Sequence, residues 1–321
     1  MPRASIIRLD HGITAIDAEY ARPLADASHL IVENGRAAFV DTGANNAVPL
    51  LLDALAQHDL EPDAVDFVFL THVHLDHAGG AGQLMQKLPA ARCVVHPRGA
   101  VHMIDPTKLI AGTEAVYGKE QAREMYGTIE AIAEERVVAA DDEQWFELAG
   151  RRLQTLYTEG HARHHYVLND PASRGVFTGD SFGLSYRDFD TEKGPFVFPT
   201  TTPIDFDPEA AHVSVDRIMG LEPERVYLTH YSEVTDLDRL ARDLHADIDA
   251  FSDIALAAEH ADQRQEAIRD GLYEHLNRRL DAHGFSADAE LRWSLLEMDV
   301  ILNAQGLDVW LKRRQKAAQQ R

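Results

Sequence analysis

The order of apolar and polar positions divides the chain in two. Up to about Ser232, short apolar runs alternate with stretches of helical spacing. SHLIVEN (28–34) and RAAFVDTG (36–43) read as two strands around a turn at Asn34-Gly35, a pair that accepts the positive φ values of a tight hairpin. AVPLLLDALAQH spaces its leucines as one face of a helix. AVDFVFLT is a nearly continuous apolar run of strand length, the pattern of a strand buried on both faces. The pattern predicts a helix that begins near Gly79 and runs through GAGQLMQKL, then a strand at ARCVVHP. Residues 100–133 are less regular and read as short helices and loops, an insertion suited to a lid or pocket wall. ERVVAA, QWFELAG, RRLQTLYT, HHYVLND and RGVFTGD are strand-like. DPEAAHVSVDRIMGL is a helix with proline near its start, and RVYLTHY is a last strand. After Ser232, LDRLARDLHADIDAFSDIAL, QEAIRDGLYEHLNRRL and ELRWSLLEMDVILNAQGLDVWLKRR carry apolar residues at helical spacing and no strand pattern. An α/β region, 1–233, is therefore expected to precede an all-helical extension, 234–321.

Composition narrows the partners. With 31 Lys and Arg against 53 Asp and Glu, the net charge is −22, which disfavours nucleic acid and suits a small-molecule substrate. No apolar run approaches the roughly 20 residues of a membrane helix, so no membrane is expected. The first residues, MPRASIIRLDHG, lack the apolar stretch of a secretory signal, and a cytoplasmic location is expected. One cysteine, Cys93, excludes an internal disulfide; its setting in RCVVHP predicts a buried strand position.

The chemistry concentrates in THVHLDHAGG (71–80). His72 and His74 lie two apart just after a strand, so both can point to one side and converge on an ion. Asp76 and His77 follow the turn and are placed to face a second position. Downstream, His161 in TEGHARHH, Asp180 in FTGDSF and His230 in YLTHYSE each follow an apolar run, where the loops of a layered α/β protein carry function.

His-x-His-x-Asp-His followed by Gly-His, Gly-Asp and Thr-His resembles the metallo-β-lactamase-fold superfamily of metallohydrolases, over roughly residues 5–233. Phe39–Gly43 (FVDTG) matches an early turn of that family. The resemblance implies an α/β fold, an αββα sandwich with a dinuclear site along one edge. It implies that His72, His74 and His161 hold one metal, that Asp76, His77 and His230 hold the second, and that Asp180 bridges them. Two divalent ions are implied, zinc foremost, with iron or manganese open to the same ligands. Asp41 is the candidate carboxylate behind a ligand histidine. Such a pair shares a water and presents hydroxide to a carbonyl or phosphorus, with Asp76 orienting it and Asp180 essential to both metals.

Departures from the family refine this. The best-known β-lactamases use cysteine where this chain has Asp180, and Cys93 stands elsewhere, so antibiotic hydrolysis is not expected as the main activity. GHARHH replaces the common G-H-T-P-G-H: His165 keeps the second histidine position, and His164 becomes a candidate substrate contact. Tyr117, Tyr126, Phe182, Tyr186, Phe196 and Phe198 are the aromatic candidates for the substrate pocket. Tyr126 or Tyr186 is the candidate proton donor, and the loop FPTTTPIDFDP is placed to reach the metals. The reading preferred is hydrolysis of a small ester, lactone or thioester, as in acyl-homoserine lactonases and glyoxalase II. A phosphodiesterase is the runner-up. A non-catalytic binding or regulatory protein on the same fold is the reading from another class. The helical extension either caps the site, forms a homodimer interface or packs on its own core.

Overall fold

A computed structural model describes residues 3–201 and 205–319. Thr202, Pro203 and Ile204 of the FPTTTPIDFDP loop lie outside the described residues. The chain forms two compact units. The first comprises residues 1–157, 164–179 and 222–235; the second comprises 158–163, 180–221 and 236–321.

The first unit is built on two mixed sheets. One is seven-stranded and follows chain order: β1 (Ile6–Arg8), β2 (Ile13–Asp17), β3 (Ala27–Glu33), β4 (Arg36–Val40), β5 (Val65–Phe69), β6 (Arg92–Val95) and β7 (Val137–Ala139). Its first four strands pair antiparallel, and β4 to β7 pair parallel. The β3–β4 turn is the predicted one, with Asn34 at φ 46° and Gly35 at φ 77° and Glu33 opposite Arg36. The other sheet contains β8 (Trp145–Leu148), β9 (Arg151–Tyr157), β10 (Tyr166–Asp170), β11 (Gly175–Gly179), β12 (Arg225–Leu228) and β13 (Ser232–Val234), with only β11 and β12 parallel.

Side chains alternate across a strand, and here both faces are used. Ile31, Ala38, Val40, Phe67, Phe69 and Val94 of the first sheet pack with Phe146, Leu153, Leu168, Phe177 and Tyr227 of the second. The opposite face of the first sheet, through Leu30, Phe39 and Val68, packs against α1 (Val48–Gln57), α3 (Ala81–Met85) and α4 (Pro97–Ile104); α5 (Thr107–Tyr117) and α6 (Lys119–Tyr126) follow in the chain. Cys93 is buried in β6, as its apolar neighbours implied. Parallel β4 and β5 end on the same side, so the residues after Val40 and Phe69 meet there; this is where open α/β sheets place their chemistry.

Three short strands, β1, β2 and β13, have no counterpart in the sequence pattern. Two of them have only three residues, too few to show a period, and they exist through pairing with longer neighbours. A second difference lies in the cluster itself. Helix begins at Leu75 rather than near Gly79: α2 (Leu75–Ala78) forms because His77 and Ala78 donate to His74 O, and α3 follows after a break.

In the second unit, α7 (Pro208–Met219) opens with the Asp207 carboxylate accepting from Ala210 N, so one otherwise unpaired helix-end donor is satisfied. The long helices α8 (Leu237–Ala257), α9 (Arg264–His283) and α10 (Ala289–Gln319) bury stripes at helical spacing, such as Ile268, Leu272, Leu276 and Leu280 on α9. Among the described residues, no helix is long and apolar enough to cross a membrane.

Candidate metal centre

Five of the seven proposed ligands belong to the first unit. His72 and His74 follow the end of β5 in extended backbone, and their facing ring nitrogens lie 2.8 Å apart. His72 is buried; its ring stacks on His165 at 4.9 Å and lies 4.0 Å from that of His77. Asp76 and His77 sit on α2, and His230 follows β12. Asp76, His77 and His230 each bring a ligand atom within 4.8 Å of the others.

The neighbours of the two imidazoles decide their protonation. Nδ1 of His77 is 2.8 Å from Oδ2 of Asp41. Nδ1 of His230 is 3.2 Å from Ala25 O, its hydrogen-bond acceptor, and 2.6 Å from Oδ1 of Asp26. A carboxylate only accepts, so each Nδ1 carries the hydrogen and each neutral ring keeps its Nε2 lone pair. Both Nε2 atoms lie 3.8 Å from Oδ2 of Asp76. Three lone-pair groups thus converge on one point, which suits a cation, and imidazole with carboxylate is a donor set that zinc, iron and manganese accept. The residues present therefore fit a metal.

Asp41 is held as firmly as it holds His77. Its Oδ1 accepts from Thr71 N at 2.8 Å, and its Oδ2 accepts from Thr71 Oγ1 and Thr229 Oγ1, both at 2.8 Å. Asp41 itself adopts φ 58°, a left-handed conformation that short acidic side chains tolerate. Asp26 was not singled out by the sequence: it stands in LADASH with no motif around it. Only the bond from Ala27 N to Thr229 O, 2.7 Å, reveals why it faces His230. Burial pushes the Asp26 carboxyl up to about 6, against the lowering pull of His230.

The remaining two ligand candidates belong to the second unit and meet each other there. Nε2 of His161 is 3.3 Å from Oδ2 of Asp180, and its Nδ1 is 3.3 Å from Thr200 O. Both line a cavity of about 20 Å³, room for one water.

The substrate candidates separate into two groups. His164 stands beside the cluster, accepting at 3.4 Å from Val73 N, with its ring 5.6 Å from that of His74. Tyr126 is buried, and its hydroxyl is 2.9 Å from that of Tyr20; the Tyr117 ring lies 6.0 Å from Tyr126. Burial raises all three phenols above the ordinary tyrosine range, with the Asp76 charge adding to it, so they remain protonated donors. Tyr126 also lines a cavity of about 170 Å³ with Leu75, Ile110, Ala122, Arg123 and Ile129. Phe182, Tyr186, Phe196 and Phe198 are instead buried in the second unit. The last three pack around Phe189, and Tyr186 donates to Asp299 at 3.2 Å. Among the described residues none of the four lines the cavity of His161 and Asp180. These four rings pack in the core of the second unit, whereas Tyr126 faces a cavity.

The family description of the metallo-beta-lactamase superfamily matches residues 21–230. The chain belongs to that superfamily. The superfamily's sandwich, two mixed sheets plus helices, is the fold described above, followed here by the helical segment α8–α10. A metallo-beta-lactamase fold-containing protein of Sulfurisphaera tokodaii, ST1585, is 32% identical over 173 residues, 52% of this chain and 61% of that protein. A hydroxyacylglutathione hydrolase of Synechococcus is 30% identical over 149 residues, 46% of this chain and 45% of the relative. The match thus spans less than two thirds of either relative's length. Among solved structures, a metallo-beta-lactamase family protein of Thermus thermophilus, TTHA1429, shares the fold at a TM-score of 0.67 and 21% identity, covering 96% of this chain and 94% of its own.

Proposed function

We propose that this superfamily member is a hydrolase that holds two divalent ions, zinc foremost, and cleaves a small ester, lactone or thioester. The observation that carries the proposal is the convergence of the His77 and His230 lone pairs on Asp76, each ring fixed by a buried carboxylate. His72, His74 and His161 would hold one ion and Asp76, His77 and His230 the other, with Asp180 shared. Chain connectivity supports including the second unit's pair: His161 precedes His164 by three residues, and Asp180 follows Gly179 directly. Gly179 adopts φ 47°, and a Cβ there would lie 2.6 Å from Thr71 Oγ1, so the end of β11 is anchored against the residue that holds Asp41.

When bound, a pair of divalent ions supplies an acidified water and an electrophilic contact for the oxygen under attack. The chain's own residues do the rest. Asp41 keeps the hydrogen of His77 on Nδ1, and the Ala25 carbonyl with the adjacent Asp26 charge does so for His230. Asp76, 23% exposed, is the carboxylate with access to water and orients the nucleophile. Tyr126, kept protonated by burial, is the donor toward a leaving alkoxide or thiolate.

The 170 Å³ cavity beside Leu75 accepts the acyl or aryl part of the substrate; an apolar cavity of about 150 Å³ binds benzene. The hydroxyacylglutathione hydrolase relative supports the thioester branch, and the charge of −22 speaks against a polyanionic phosphodiester.

The test is metal analysis of purified protein followed by assay of an acyl-homoserine lactone, a thioester, an aryl ester and a bis-aryl phosphodiester. About two metals per chain with turnover of a carbonyl substrate is the expected result. Phosphodiester turnover alone, or neither metal nor activity after reconstitution, overturns it. Ile110→Trp, which fills the cavity, is expected to raise KM for long acyl groups and leave acetyl esters unaffected.

A further inference from the structure

The second unit carries another cluster of ligand-type side chains, on facing sides of α7 and α8. His212 and Asp216 stand one turn apart on α7, and His245 and Asp249 stand one turn apart on α8. Each carboxylate reaches the histidine of the other helix. Asp249 Oδ1 is 3.1 Å from Nε2 of His212, and Asp216 Oδ1 is 3.2 Å from Nε2 of His245. The two rings are nearly parallel, 8° apart in plane with centroids 4.9 Å apart. Their Nδ1 atoms face each other at 2.6 Å.

A carboxylate only accepts hydrogen bonds, so His212 Nε2, bonded to Asp249, carries hydrogen and leaves a lone pair at Nδ1. That lone pair faces Nδ1 of His245 at 2.6 Å, a contact closed either by a hydrogen on His245 Nδ1 or by a cation between the two nitrogens. A metal ion closes it with more of the local structure in use. Metal-bound histidines commonly give their second N–H to a carboxylate; here His212 does so to Asp249, and Asp216 stands 3.2 Å from Nε2 of His245. Asp216 and Asp249 supply two negative charges against a divalent ion. The rings are 28% and 31% exposed, which leaves water free to complete the coordination. Two nitrogens bound to tetrahedral zinc at about 2.0–2.1 Å stand about 3.3 Å apart, an opening of ~0.7 Å that small side-chain rotations supply.

We propose that His212 and His245 form a peripheral site for one divalent transition-metal ion of the imidazole-binding kind, Zn2+, Ni2+ or Cu2+. Asp216 and Asp249 orient the rings, and the bound ion ties α7 to α8. The site shares no residue with the proposed catalytic centre.

The experiment is equilibrium dialysis of the full chain against graded Zn2+ near neutral pH, with bound zinc counted per chain for wild type, His212→Gln and His245→Gln. Wild type is expected to bind one equivalent more than either variant. Asp216→Asn is expected to keep that equivalent with affinity reduced about 10–100-fold. Added zinc should also slow amide exchange in α7 and α8 of wild type and not of the variants. Equal zinc binding by wild type and both variants, with helical circular dichroism intact, overturns the proposal and leaves a hydrogen on His245 Nδ1 between the rings. Two variants guard against the failure of one to fold. The readout is a difference between chains with the same main centre, so it is unaffected by how many ions that centre holds.

Discussion

Asp41→Asn tests the reasoning behind the metal centre most directly. The buried Asp41 carboxylate accepts from Thr71 N, Thr71 Oγ1, Thr229 Oγ1 and His77 Nδ1. Asparagine has nearly the same shape but one acceptor oxygen and an NH2 group. If the NH2 takes the Oδ1 position, it faces the Thr71 N–H, a donor that cannot reverse. If it takes the Oδ2 position, it faces the Thr229 hydroxyl, which can turn to accept, and His77 Nδ1. That second orientation is the less costly one. His77 then accepts at Nδ1 and carries its hydrogen on Nε2, where the lone pair for the metal was. Losing such a carboxylate behind a ligand histidine typically costs about 10–100-fold in metal affinity, or about 1.4–2.7 kcal/mol. The lost charge-assisted bonds lower the stability of the metal-free chain by a further ~2–3 kcal/mol. Competition against a metal-binding dye reads the first quantity, and urea unfolding in chelator reads the second. A variant that melts cooperatively and holds its metals with wild-type affinity would show that Asp41 does not set the His77 tautomer.

Three further outcomes follow from buried groups. Burial lowers His29 to about 4 from its ordinary 6.5, with Asp41 pulling the other way. Because the folded value is depressed, stability is fully present above about 6.5 and falls as pH drops toward 4, by at most ~3 kcal/mol from this group; His29→Gln should shed that share of the decline, and parallel urea-stability profiles for wild type and variant between pH 7 and 4.5 would refute it. Arg151 holds Asp170 through Nε at 2.9 Å, with both side chains buried; Arg151→Met strands that charge and should cost about 3–5 kcal/mol in chemical unfolding, so a loss under 1 would be inconsistent with the pairing. Gly179→Ala puts a Cβ 2.6 Å from Thr71 Oγ1 at a positive φ, and a fall in melting temperature together with weaker metal binding is expected; wild-type values of both would contradict the close approach.

The Asn34-Gly35 hairpin, β5, β6, α1 and α7 were legible because their lengths let a period of two or of 3.6 show. β1 and β13 were not, since three residues carry no period. The site divides in the same way. His72, His74, Asp76 and His77 are close in sequence, so their spacing alone marks them as a cluster. Asp26 is invisible without the bond that ties the start of β3 to Thr229. Phe182, Tyr186 and Phe198 could be read as pocket or as core with equal ease, because an aromatic side chain in an irregular segment looks the same in either role.

The sequence by itself determined that this chain alternates strands and helices before a helical extension, that it belongs with the metallo-beta-lactamase sandwiches, and which histidines and aspartates are candidates for metal chemistry. These are properties of spacing and residue type, which the chain carries before it folds. Only the tertiary structure decided which carboxylate stands behind which imidazole, and so which ring nitrogen keeps its lone pair. It also decided that three phenols stay protonated near Asp76, and that two histidines on α7 and α8 face each other. The physical reason is that protonation depends on burial and on partners within about 3 Å, and those partners come from strands and helices far apart in the chain.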